Sequence, residues 1–137
     1  DSYVELYKGG VIPLKEYVKM PYDRDILVRL IVKKEKAVFD YQSVRNSQTD
    51  FPVLTCAVAG TENGYRVSIG ARPGKAVLFE LTDADIREAD VENVAEYAAK
   101  CVKEQIETGS NTRGSAEYRK HLAGVLVKRA VCKLEGK

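Results

Sequence analysis

The sequence lacks the side chains that most catalytic and metal sites need. Its 137 residues include no tryptophan, one histidine and three cysteines. Cys56, Cys101 and Cys132 lie far apart, without the CxxC or Cys/His spacing of a metal site, so we expect reduced, mostly buried thiols. His121 is the single candidate base for a Ser–His–Asp triad, and it stands in a basic helical stretch. We therefore predict no catalytic residue and no metal ligand in this chain.

The sequence also lacks a strong excess of charge and a long apolar run. Lysine and arginine together number 22 against 20 aspartate and glutamate residues, and aromatic residues make up 8%. That balance argues against a nucleic acid partner. The apolar runs are strand-sized, too short to span a bilayer. The sequence starts at Asp1 with no signal-peptide pattern, so we expect a cytoplasmic piece of a longer chain without membrane contact.

The segments predicted as β-strands lie between residues 26 and 81. Residues 1–25 are irregular, with Gly and Pro breakers. Asn63-Gly64 is the strongest hairpin signal, since both residues tolerate positive φ. The segments predicted as strands, by their β-branched and apolar content, are 26–32, 37–42, 53–59, 65–69 and 76–81.

The last third changes to a helical period. From residue 91 to 106 apolar residues recur at spacings of three and four, with Asp90 as the predicted N-cap and Gly109 as a stop. Ser115 is placed to cap a last helix. Its predicted buried stripe is Tyr118, Leu122, Val125, Leu126, Ala130 and Leu134. Strands followed by helices predict an α+β fold, an antiparallel sheet with helices on one face.

Two sets of polar residues are candidates for binding. Residues 41–52, YQSVRNSQTDFP, are a polar segment directly before the most apolar strand, and within it residues 43–52 are predicted as a loop or a single helical turn. Loops on a rigid sheet often bind ligands. Arg119, Lys128 and Arg129 lie in the last helix, where a solvated face is the default. Arg119 and Arg129 could instead form bidentate pairs with carboxylates.

The sequence of the last helix resembles a known family. Residues 114–130, GSAEYRKHLAGVLVKRA, are similar to the end of the FAD-binding (medium) subunit of molybdenum hydroxylases, the family of xanthine dehydrogenase and carbon monoxide dehydrogenase. Those chains typically finish with a small residue, Glu-Tyr-Arg, a Leu-Ala pair and a Val-Leu-(Val or Leu)-(Lys or Arg)-Arg-Ala run. The other stretches that resemble the family, in the same order, are 5–10 with 25–32, 43–59 and 65–80.

The resemblance implies a fold and a place in a larger enzyme. Residues 1–35 would be the tail of the preceding FAD-binding region. Residues 36–137 would be a CO dehydrogenase flavoprotein C-terminal-type domain, with a three- to four-stranded antiparallel sheet packed against about three helices. FAD would be held mainly by the upstream domain. Partner subunits would carry the molybdenum cofactor (large subunit) and two [2Fe–2S] clusters (small subunit), with electrons passing to FAD and on to NAD or another acceptor.

The resemblance also implies a role for the polar loop. In the family the segment matching residues 41–50 lies near the flavin ring and usually carries a lysine two residues after the aromatic. Here Ser43 and Ser47 stand where basic residues are usual, whereas Arg45 and Asp50 keep the expected character. The predicted cofactor-contacting residues are therefore Ser43, Arg45 and Asp50. The alternative hypothesis is a stand-alone interaction module that binds a partner through Arg119, Lys128 and Arg129, without a flavin role.

Overall fold

The computed structural model describes residues 2–21, 24–89 and 93–136. The chain divides into two compact units, residues 1–36 and 37–137. Each unit has its own antiparallel sheet, and the helices follow the strands in the second unit, so the α+β prediction is confirmed.

The first unit is a three-stranded antiparallel sheet in the order β2-β1-β3. The carboxylate of Asp25 accepts hydrogen bonds from the backbone N–H groups of Lys8 (3.0 Å) and Gly9 (2.8 Å) and so holds the β1–β2 turn. The expectation that residues 1–25 are irregular was wrong, because cross-strand pairing stabilises short strands that show little periodicity. The elements are β1 (Ser2–Leu6), β2 (Gly10–Pro13), α1 (Leu14–Tyr17) and β3 (Leu27–Val32).

The second unit is a four-stranded antiparallel meander followed by three helices, in agreement with the predicted strand and helix numbers. The Asn63-Gly64 turn joins two neighbouring strands, and Gly64 has a φ of +122° where a Cβ would lie 2.1 Å from the Leu81 carbonyl oxygen. The elements are β4 (Val38–Val44), β5 (Leu54–Thr61), β6 (Gly64–Gly70), β7 (Val77–Thr82), α2 (Asp83–Glu88), α3 (Val94–Gln105) and α4 (Ala116–Leu134).

Side-chain caps begin the three helices of this unit. Thr82 and Asp85 form a reciprocal capping box at α2. Asn93 accepts a hydrogen bond from the Glu96 N–H at α3 (3.2 Å), whereas Asp90, the N-cap that the sequence predicted, lies outside the described residues. Ser115 caps α4 as predicted, accepting from the Tyr118 N–H at 3.1 Å.

The core of the second unit lies between one face of the sheet and the two long helices, α3 and α4. Cys56 is buried there, and burial raises the pKa of its thiol to about 12, so it stays protonated at neutral pH. The buried cluster consists of Val53, Leu54, Cys56, Val58, Val67, Ile69, Leu81, Ala95, Ala98, Val102, Ile106, Leu122, Ala123, Leu126, Val127, Ala130 and Val131.

The buried face of α4 differs from the predicted stripe. Tyr118 is 46% exposed and Val125 is half-buried, while Arg119, predicted on the polar side, is fully buried. The reason is that the guanidinium of Arg119 finds hydrogen-bond acceptors inside the protein, which a periodicity argument cannot see. None of the helices in the described ranges combines the length and apolar content needed to cross a bilayer.

Candidate functional site

The sheet of the second unit has one face covered by helices and one face open to solvent. Because side chains alternate along a strand, the neighbours of the buried residues point to the uncovered side. Phe39 and Tyr41 on β4 are 70% and 62% exposed. We call this surface the open sheet face, and its residues are Phe39, Tyr41, Ser43, Thr55, Ala57, Ala59, Arg66, Ser68, Gly70, Leu78 and Glu80.

The middle of the open sheet face is flat and made of small side chains. The strand register places Tyr41 opposite Ala57, and Ala57 opposite Ser68. At the next row Ser43 pairs with Thr55, and Thr55 with Gly70, where a Cβ would lie only 2.6 Å from Thr55 Oγ1. Small apolar and hydroxyl side chains beside two exposed aromatic rings make this face the candidate for binding a ligand.

Ser43 occupies the end of this face rather than a loop. The sequence prediction ended the strand at Gln42, but β4 continues through Ser43 to Val44. The reason is tertiary, because β5 offers a partner for each of these residues, Thr55 for Ser43 and Leu54 for Val44. The polar segment that remains a loop begins at Arg45.

The loop between β4 and β5 is closed by interactions with its own residues and with Arg113. Arg45 donates through Nη1 to the Asp50 carbonyl oxygen, and the Asp50 N–H donates to the Ser47 carbonyl oxygen at 3.2 Å. The Asp50 carboxylate accepts from Arg113 Nε (3.1 Å) and Nη2 (3.0 Å) and from the Phe51 N–H (2.7 Å). The hydrogen bonds from Arg113 and then from the Phe51 N–H lower the pKa of Asp50.

Arg113 also contacts Phe51 and Asn46 of the same loop. Its guanidinium carbon lies 5.3 Å from the centroid of the exposed Phe51 ring, in a cation–π arrangement. Its carbonyl oxygen accepts from Asn46 Nδ2 at 3.3 Å. Residues 45–51 are thereby tied to the segment that precedes α4, although more than sixty residues separate Asp50 from Arg113 in the sequence.

Arg119 anchors that preceding segment from inside the core. Its Nε donates to the Val53 carbonyl oxygen at 2.9 Å, and Nη1 donates to the Gly109 carbonyl oxygen at 2.7 Å and to that of Gly114. Nη2 donates to Asn111 Oδ1. Burial and the nearby charge of Arg113 lower the pKa of Arg119, which as an arginine nevertheless stays protonated at neutral pH.

The structure separates the three predicted site residues into two roles. Arg45 and Asp50 come together in the loop, where both hold its conformation, and the Asp50 carboxylate is committed to Arg113. Ser43 lies on the open sheet face. Arg119, which is fully buried, has no surface to offer the interaction-module hypothesis.

Sequence reasoning singled out the segment that contains Phe51 but missed Arg113 as its partner. The available signal was Arg113 itself, a basic residue in the loop SNTRG just before a helix cap. Its partner, Asp50, is evident only from the fold. The described residues contain no cluster of three His, Cys, Asp or Glu side chains able to hold a metal ion.

Comparisons with known proteins agree with this architecture. Quinoline 2-oxidoreductase from Pseudomonas putida 86 superposes with a TM-score of 0.71 at 18% identity, over 96% of this chain and 50% of that chain. Carbon monoxide dehydrogenase from Hydrogenophaga pseudoflava, in a form that lacks the Mo-pyranopterin moiety of its cofactor, gives 0.70 at 20% identity, over 96% and 51%. Reconstituted CO dehydrogenase from Oligotropha carboxidovorans gives 0.62 at 17% identity, over 95% and 51%.

These solved structures share the fold, and the chain spans about half of their length. No curated protein matches the sequence. The model of one protein family, the CO dehydrogenase flavoprotein C-terminal domain, matches residues 39–134. That range covers all four strands of the open sheet face except Val38, and it includes α2, α3 and α4. The family resemblance expected from the last helix is thus confirmed, and the chain belongs to the CO dehydrogenase flavoprotein C-terminal domain family.

Proposed function

We propose that this chain is the C-terminal part of the FAD-binding subunit of a molybdenum-containing hydroxylase or dehydrogenase, and that its open sheet face helps to cover the flavin. Membership of the CO dehydrogenase flavoprotein C-terminal domain family supports the assignment of the chain to the FAD-binding subunit. The observation that carries the flavin contact is the flat floor of Ala57, Ser68 and Gly70 beside the exposed Tyr41 ring. Residues 1–35 would then be the end of the preceding FAD-binding region.

The residues of the open sheet face fit a planar ring. Small side chains leave room for a flat group, and at Gly70 the Thr55 hydroxyl occupies the space that a Cβ would take, at 2.6 Å. Tyr41 and Phe39 present aromatic surface, and the Ser43 hydroxyl offers a hydrogen bond at the edge. When bound, FAD supplies the electron-transfer chemistry that no side chain of this chain can perform. The protein's part is to exclude water, orient the ring and set its electrostatic surroundings.

The loop after β4 would support that contact indirectly. Arg45 and Asp50 hold the loop closed, and Arg113 fixes it to the segment before α4. We infer that the two predicted residues, Arg45 and Asp50, shape the border of the flavin site, whereas Ser43 faces it. Because Ser43 is neutral, this end of the face lacks the cation that is usual in the family, and reduced flavin would be stabilised less.

The wider assembly belongs to the same proposal. A molybdenum-cofactor large subunit would oxidise the substrate, a small subunit with [2Fe–2S] clusters would pass the electrons to FAD, and NAD or another acceptor would take them up in the cytoplasm. This chain by itself would be inactive, since FAD would be held mainly by the upstream domain and the other redox groups by the partner subunits.

The test is flavin retention by a longer chain that carries the upstream residues. We expect a yellow protein after gel filtration, with FAD occupancy reduced at least about threefold by Tyr41→Asp, because a carboxylate would be buried against the ring. Tyr118→Asp is the matched control, since Tyr118 is an exposed tyrosine on α4. A longer chain that stays colourless when FAD is added contradicts the proposal.

A second variant tests the electrostatic part. Ser43→Lys places a cation at the edge of the open sheet face and should raise the reduction potential of bound flavin. A change on the order of 30 mV corresponds to about 1.4 kcal/mol for a two-electron couple. Gln105→Lys, at an exposed position of α3, is the control. An unchanged potential in Ser43→Lys would place Ser43 away from the ring.

A further inference from the structure

A groove runs between α3 and α4 on the side of the helices that faces away from the sheet. The volume of this groove is about 310 Å³. Its rim carries Lys100, Lys103, His121 and Lys128, and its floor is Ala99 and Gly124, which are buried. We call it the basic groove.

Each helix contributes a regular stripe to the basic groove. The lining residues of α3 begin at Glu96 and end at Lys103, and those of α4 begin at His121 and end at Lys128, each set at spacings i, i+3, i+4 and i+7. The helices pack against each other at Gly124, where a Cβ would be in ordinary van der Waals contact with the Ala99 carbonyl oxygen, at 3.6 Å. The groove is therefore about two helical turns long, roughly 10 Å.

The charges of the groove are not balanced within it. Glu96 is the one carboxylate in the lining, and it pairs with Lys128. That hydrogen bond and charge raise the pKa of Lys128. Lys100 and Lys103 make no ion pair with any described residue, and they lie three residues apart on the same stripe. The whole chain has a net charge of only +2, so this positive surplus is local.

We propose that the basic groove binds an acidic helical segment of a partner protein. Acidic side chains at spacings of three and four on such a helix would match Lys100 and Lys103, and the small floor allows a third helix to approach. The groove is open along its length, whereas clefts that bind small organic ligands enclose most of the ligand surface. The groove uses residues outside the open sheet face, so it does not depend on the flavin proposal.

The experiment is a titration of the 137-residue chain with a fluorescent helical peptide built from Glu and Ala, followed by anisotropy at low salt. We expect saturable binding that the double variant Lys100→Glu/Lys103→Glu weakens at least about tenfold, or ~1.4 kcal/mol. The matched control is Lys34→Glu/Lys36→Glu, which changes the net charge equally in the first unit. Circular dichroism establishes that both variants are folded.

Four results would overturn the proposal. The first is no saturable binding, and the second is an equal loss of affinity in the control variant, which would mean that only net charge matters. The third is equal binding of a peptide with the same number of Glu residues but interrupted by Pro, because such a peptide cannot form a helix. Competition by inorganic pyrophosphate at equal charge would reassign the groove to small anions.

Discussion

Arg119 connects three parts of the second unit from a single buried position. Its guanidinium donates to carbonyl oxygens of Val53, Gly109 and Gly114 and to the Asn111 side chain. No carboxylate is among these partners, so Arg119 stabilises the fold through hydrogen bonds to neutral acceptors and not through an ion pair. If Arg119 is removed, one buried and two part-buried carbonyl oxygens lose a donor, and an unsatisfied buried acceptor costs about 1–3 kcal/mol.

We therefore expect Arg119→Met to lower the free energy of unfolding by about 3–5 kcal/mol, measured by urea denaturation. Arg129→Met, an exposed arginine of the same helix, should change it by less than about 0.5 kcal/mol. Equal stability of the two variants would show that the Arg119 hydrogen bonds contribute nothing net.

Asp40 makes the stability of the second unit depend on pH. Its side chain is buried on β4 and accepts hydrogen bonds from Lys133 and Gln42, which lower its pKa. A carboxyl group whose pKa is lower in the folded protein adds stability above its unfolded value, about 3.9, and loses it as the pH falls through the folded value.

Asp40→Asn should thus be less stable than the unmodified protein at pH 7, with the difference shrinking below about pH 4. Urea midpoints at pH 7, 5 and 3 measure this. Glu62→Gln, in the turn between β5 and β6, tests whether a surface carboxylate behaves in the same way. A difference between Asp40→Asn and the unmodified protein that is constant with pH would contradict the assignment.

At the scale of elements, β3 is an exposed apolar edge strand. Val28, Leu30 and Val32 are 53%, 61% and 72% exposed, and β1 is the only strand that pairs with β3 among the described residues. An open edge of this kind offers unpaired N–H and C=O groups to another chain. The 137-residue chain should therefore self-associate as its concentration rises.

Leu30→Lys should shift that association to concentrations at least about tenfold higher, because charge on an edge opposes strand pairing. Sedimentation velocity across a concentration series measures it. Tyr7→Lys, at a 73% exposed position in the β1–β2 turn, is the control. A monomer at all concentrations would show that β3 does not recruit a second chain.

At the scale of the whole molecule, the second unit has everything needed to fold alone. All residues of its buried cluster lie between Val53 and Val131, so none comes from the first unit. We expect a chain of residues 37–137 to keep the helical circular dichroism of the full chain and to unfold in one cooperative urea transition. A non-cooperative transition would mean that the first unit is required for a fixed core.

The candidate site also depends on how distant parts of the second unit come together. The open sheet face is formed by four strands in sequence order, so its existence followed from a correct strand prediction. The support of its border does not follow in this way, because Asp50 and Arg113 meet across 63 residues. Opposite charges at that separation are too common in a sequence to be paired by inspection.

Local patterns in the sequence determined strands β3 to β7, the Asn63-Gly64 turn, the Ser115 cap and the α+β class, since each depends on neighbouring residues. The last helix was sufficient to indicate the family. The extension of β4 to Ser43, the strands β1 and β2, and the burial of Arg119 depended on partners distant in the sequence. Tertiary structure decided these, because a backbone ladder or a buried guanidinium is stable only where its hydrogen-bond partners are brought together.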